Sequence, residues 1–117
     1  MRDDKDNLIV SLTFDFALKI VEFSEGLEQN KKWVVARQIL KSGTSIGANV
    51  REAQNAESKA DFIHKLKIAA KEADETEYWL QLCEGSKSYP STLYLQRELK
   101  SIIKVLSKII GSSKRNR

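Results

Sequence analysis

Few residues in this chain are of types that could do chemistry, and their spacing narrows what that chemistry can be. Ser42, Ser45, Asn49 and Glu52 recur at intervals of three, four and three, which puts them on one face of a helix. That face borders a row of small and apolar side chains, so the group is expected to be at least partly buried. One reading makes Asn49 and Glu52 part of a ligand pocket. The other is a buried hydrogen-bond network that fixes helix register and choice of partner. The network is favoured, because no histidine, cysteine or lysine pair accompanies the group in sequence. On that reading a buried Glu52 carboxylate needs donors, from Ser42, Ser45 and Asn49 or from a cation on another helix.

The rest of the inventory excludes more than it offers. Cys83 is the single cysteine, so neither a disulfide framework nor a cysteine metal cluster is available. His64 is the single histidine. Glu72, Asp74, Glu75, Glu77 and Glu84 crowd the second half of one helical stretch, with Lys59, Lys65, Lys67 and Lys71 in its first half. Carboxylates in this number suggest a di-metal site of the ferritin type, but that site needs Glu-x-x-His on two helices. These charges therefore read as solvated, paired with neighbouring helices or subunits. No metal, cofactor or catalytic residue is expected.

The basic residues make the second candidate site. Arg97, Lys100, Lys104, Lys108, Lys114, Arg115 and Arg117 face a single acid, Glu98, at the C-terminal end of the chain. The first four lie three, four and four apart, on one face of a helix. Such a stripe is the electrostatic footprint of a protein that grips a phosphate backbone. A solvated bundle face beside an acidic neighbour is the competing reading. Residues 1–30 supply that neighbour, with seven acids against three basic residues.

Four helices must position these groups. The first is expected over about residues 8–28, with Asn7 as N-cap and Ile9, Leu12, Phe16, Ile20, Phe23 and Leu27 as its apolar stripe. A turn at Gln29 and Asn30 leads to the second, about 32–55. Its seam of Ala36, Ile39, Gly43, Ile46, Val50 and Ala53 passes through the glycines without a shift of register. Two glycines inside a helix cost roughly 1 kcal/mol each against alanine, so a closely approaching neighbour is expected there. The third helix, about 59–84, is capped by Ser58 with Asp61 as partner and stopped at Gly85. Phe62, Leu66, Ala69, Ala73, Thr76, Leu80 and Cys83 form its seam. The fourth, about 91–110, follows the loop Ser86–Pro90; Gly111 ends it, and residues 112–117 form a frayed basic tail. Trp33, Tyr78, Trp79, Tyr89 and Tyr94 fall near helix ends, where aromatic side chains pack as core edges or subunit contacts.

These elements make an all-α fold, one antiparallel up-down-up-down four-helix bundle spanning residues 1–117. A single proline, 41% apolar and 31% charged residues suit one helical domain. The apolar run after the charged start is too short and too polar for a signal peptide or a membrane span. The expected setting is cytoplasmic. A net charge of +4 permits nucleic-acid binding without requiring it.

The stretch from Ser42 to Leu80 resembles the four-helix-bundle proteins encoded within intervening sequences of bacterial 23S ribosomal RNA genes, also called S23 ribosomal proteins. It is similar as well to the accessory variability determinant of diversity-generating retroelements. Ser45, Asn49 and Glu52 match the family's Ser-x-x-x-Asn-x-x-Glu. Phe62, Lys71-Glu72-Ala73 and the run Glu75 to Leu80 match its next helix, and Phe14 to Ala17 and Gln38 to Ser42 extend the likeness. The likeness covers about residues 12–83. It implies a four-helix bundle assembled as a ring-like homopentamer, without enzymatic activity, and the accessory relative's binding of nucleic acid raises RNA or DNA as partner. The function expected is thus a non-catalytic, oligomeric nucleic-acid-binding protein, of RNA or a ribonucleoprotein. The alternative is a structural module whose partner is another protein.

Overall fold

The computed structural model describes residues 7–115. Four helices account for most of them: α1 (Leu8–Gln29), α2 (Trp33–Ala53), α3 (Lys59–Gly85) and α4 (Leu93–Arg115). Each packs on its neighbours in the chain, and α1 closes the square against α4. The diagonal pairs α1–α3 and α2–α4 make no comparable contact. This is the up-down-up-down bundle expected of short connections. It measures 48 × 22 × 21 Å. The contacts of α2 with α1 and α3 are the most extensive, and that of α1 with α4 is the slightest.

The core follows the apolar spacing. Phe16, Ile20, Ile39, Ile46, Leu66, Leu80, Leu95, Leu99 and Leu106 are fully buried. Helix α2 runs unbroken through both glycines, and the neighbour that justifies them is α1. A Cβ on Gly43 would stand 2.8 Å from the Cγ2 of Ile20, and one on Gly47 would stand 3.3 Å from the Thr13 carbonyl oxygen. The two glycines therefore let α1 and α2 approach closely within one chain, and no second subunit is needed to explain them.

Local chemistry sets the ends. At the close of α1, Lys31 N–H donates to the Glu28 carbonyl at 2.9 Å and Lys32 N–H to that of Leu27 at 2.9 Å. This is a Schellman motif, with Lys31 in the left-handed position at φ 64. Asn7 stands at the N-cap of α1 but does not cap it; its amide donates to Gln54 Oε1 at 2.8 Å and ties the start of α1 to the end of α2. Ser58 does cap α3, accepting the Asp61 N–H at 3.0 Å. At the start of α4 the buried Thr92 hydroxyl donates to the Leu80 carbonyl at 2.6 Å. Its N–H donates to Glu84 Oε1 at 2.7 Å, a carboxylate placed where the helix dipole favours it.

Two expectations are corrected. Gly111 does not end α4, which continues to Arg115, so residues 112–115 are helical rather than a frayed tail. One glycine costs a helix only about 1 kcal/mol, and among the described residues no left-handed residue follows to turn the chain. At the start of α3, Phe62 is only partly buried against the core, while Ile63 beside it is buried apart from the main cluster.

Candidate nucleic-acid interface

The polar group of α2 comes apart in three dimensions. Ser42 is fully buried; Ser45 and Asn49 are half-buried, and the Glu52 side chain is 59% exposed. Ser45 Oγ donates to the Lys41 carbonyl at 2.6 Å and Asn49 Nδ2 to the Ser45 carbonyl at 2.9 Å, so both bond back to their own helix. Glu52 accepts from Lys65 Nζ of α3 at 3.0 Å. The expected buried carboxylate is therefore a solvated ion pair. The reason is angular position: at about 100° per residue Glu52 stands about 80° round the helix from Ser42, on the side away from the buried Val50 and Ala53 that flank it. Glu52 draws its cation from another helix, and the pairing holds the Lys65 ammonium above its ordinary pKa through the hydrogen bond first and the charge second.

A smaller polar network does exist, between different partners. Thr76 Oγ1 of α3 donates to Ser42 Oγ at 2.9 Å, and Ser42 donates to the Gln38 carbonyl at 3.0 Å. The Glu72 carbonyl lies 2.7 Å from the same threonine hydroxyl. Thr76 stands in the α3 seam as if it were apolar, and its pairing with Ser42 was legible only as two hydroxyls facing each other across a predicted interface. Glu75 is exposed and accepts from Trp79 Nε1 at 3.3 Å. No group of three or more His, Cys, Asp or Glu suited to a metal occurs among the described residues. Cys83 is buried, and desolvation pushes its thiol up to about 11, far from a nucleophile's range.

The basic row holds together. Leu95, Leu99, Ile102 and Leu106 give α4 its buried side. Successive residues turn by about 100°, so Arg97, Lys100, Lys104 and Lys108 point almost directly away from it. All four are exposed. Arg115 falls on the same outward line, where a Cβ on Gly111 would lie 3.5 Å from its Nη1; the guanidinium thus lies back over the glycine. Lys114 lies to one side, also exposed, and Arg117 is outside the described residues.

The acidic first helix does not cover this face. Its contact with α4 runs the other way: Lys19 of α1 pairs with Glu98 of α4 at 2.7 Å. Glu98 is half-buried between the helices, and its hydrogen bond raises the Lys19 pKa despite some desolvation. The single acid of α4 is thereby turned inward. Among the described residues no ion pair engages Arg97, Lys100, Lys104 or Lys108. Glu77 and Gln81 of α3 share a shallow groove with Arg97 and Lys100 at one end of the row.

A second surface was missed from sequence. Phe14, Leu18 and Val21 are exposed on α1 at 49%, 56% and 38%. Their spacing of four and three was visible, but the core stripe beside them claimed the helix. Phe14, Ala48 and Arg51 border a hollow between α1 and α2, and the Arg51 guanidinium lies 5.7 Å from the Phe14 ring centroid.

Fold and site together define a four-helix bundle with one helix presenting a cationic face to solvent, bordered at one end by Glu77 and without an ion pair among the described residues. Residues 5–112 match the model of the 23S rRNA-intervening sequence protein family, and the chain belongs to that family. Its fold is similar to the crystal structure of a protein of unknown function from the S23 ribosomal protein family of Bacteroides thetaiotaomicron VPI-5482. The two are 45% identical with a TM-score of 0.82, over 87% of this chain and 97% of the other. No match was found among curated proteins. No helix among the described residues is long and apolar enough to cross a membrane.

Proposed function

We propose that this protein is a non-catalytic, self-associating nucleic-acid binder that engages RNA phosphates, in the cytoplasm, through the outward face of α4. The observation that carries the reading is the row Arg97, Lys100, Lys104 and Lys108, exposed, opposite the buried side of its helix and without a carboxylate partner among the described residues. Lysine and arginine spaced along one ridge make contacts that neutralise phosphates and release their counterions. A homo-oligomer, a ring of five by family resemblance, would repeat this face and multiply the attraction.

Gel-shift titration with a structured RNA at two salt concentrations tests the reading. Binding is expected at about 50 mM salt and is expected to fall steeply by about 200 mM. Charge reversal at Lys100, Lys104 and Lys108 should abolish it while the helical circular dichroism is unchanged. Absence of binding at the lower salt would refute the proposal and leave the second reading, a module for protein partners. That reading draws on the exposed Phe14, Leu18 and Val21 row.

A further inference from the structure

The composition of the α4 face says which form of nucleic acid it suits, given that it binds nucleic acid as proposed above. From Arg97 to Arg115 the outward line extends about 27 Å at 1.5 Å per residue. It holds Arg97, Lys100, Lys104, Lys108 and Arg115 and contains no aromatic residue. Proteins that hold single strands combine a basic groove with aromatic platforms on which the splayed bases stack. Here most of the charged surface is a convex ridge on the far side of the helix from the core, and the one shallow groove beside it, at Arg97 and Lys100, is lined by Glu77, Gln81, Leu93 and Gln96 and by no aromatic residue.

The one exposed aromatic residue on α4, Tyr94, is off the outward line, on the side of Glu22 and of the Lys19–Glu98 ion pair, and so stands apart from the row of cations. What flanks the cations instead is hydroxyl: Ser101 on one side and Ser107 on the other, both exposed. Cations and hydroxyls without stacking surfaces match the outside of an A-form helix, which offers phosphates and 2′-hydroxyls rather than readable base edges. Lysine predominates in the row, and it acts as a point charge without the planar fork that reads a guanine.

We infer that the outward face of α4 binds double-stranded RNA along its phosphate backbone, without regard to sequence. The ridge crosses phosphates with up to five cations, and the two serines supply contacts to sugar hydroxyls. Fluorescence anisotropy with the full chain tests this. The probes are two 20-base-pair RNA duplexes of unrelated sequence, an unstructured 20-nucleotide oligouridine, and a DNA duplex of matching length.

Both RNA duplexes should bind equally, and at least tenfold more tightly than oligouridine or the DNA duplex. The logarithm of affinity should fall against that of salt with a slope of about −4 to −5, from roughly −0.9 per phosphate contacted. Lys104→Gln should reduce the slope by about one contact and weaken both duplexes alike. Oligouridine bound as tightly as the duplexes would overturn the inference while leaving the proposed function in place. DNA bound as tightly as RNA would overturn the assignment to RNA, and a tenfold difference between the two RNA sequences would overturn backbone recognition. Failure of every probe to bind at 50 mM salt would remove the proposed function as well.

Discussion

At the scale of single residues, Gly43 and Cys83 are held by their surroundings in ways that can be measured. A methyl group on Gly43 would meet Ile20, a fully buried side chain whose Cγ atoms cannot swing away. Overpacking of this kind costs about 1–3 kcal/mol, against roughly 1 kcal/mol of helix propensity gained. Gly43→Ala should therefore lower stability in urea unfolding, and the loss should shrink or reverse in an Ile20→Ala background. Equal cost in both backgrounds would mean that the two residues do not meet. Cys83 stays protonated in the fold up to about pH 11, whereas an unfolded thiol ionises near 9. Its burial thus favours the fold fully below pH 9, and that contribution is lost as pH rises from 9 through 11. Thermal melts across that interval should decline less steeply in Cys83→Ala. At pH 8 the native thiol should resist iodoacetamide.

At the scale of helices, the junction of α1 and α2 carries a residue at odds with its backbone. Lys31 occupies the left-handed position that glycine fills at most helix ends. Lys31→Gly should stabilise the protein by up to about 1 kcal/mol in urea titration, since the hydrogen bonds of the motif come from the main chain. An unchanged midpoint would show the strain to be relieved elsewhere. How much of this architecture the sequence disclosed depended on the signal. Apolar spacing located all four helices, because each buries one side and period alone reports that. It could not locate the end of α4, where Gly111 has the composition of a stop but not the conformation. Nor did it place Glu52, since residues three and four apart share a broad face, and Glu52 stands at the edge of that face farthest from the buried seam. The basic row of α4 was readable because outward charges need only periodicity. That Glu98 faces α1 and leaves the row without an acid required the packing of two helices to be known.

For the whole molecule, the self-association proposed above would use the face bearing Phe14, Leu18 and Val21. Exposed apolar side chains in a row, beside a cation stacked on one of them, suit contact with another copy better than contact with water. Phe14→Glu with Leu18→Glu should reduce the mass seen by light scattering at micromolar concentration to that of the 13.3 kDa chain, without loss of helicity. A parent protein that is itself monomeric there would refute self-association, and an unchanged oligomer in the variant would move the interface to another face.

The light seating of α4 on α1 has a consequence for how the molecule opens. Beyond Leu106 no residue of α4 is buried, although the helix continues to Arg115. Ile109 and Ile110 still pack partly against the core, so amides from about Gly111 onward should exchange with deuterium through local fraying. The earlier turns of α4 should exchange through a sub-global opening that leaves α1 to α3 protected. A bound polyanion spanning the outward line would slow both processes, so exchange protection maps where the ligand lies without altering a residue. Equal protection of all four helices in the free protein would show instead that α4 opens only when the whole bundle does.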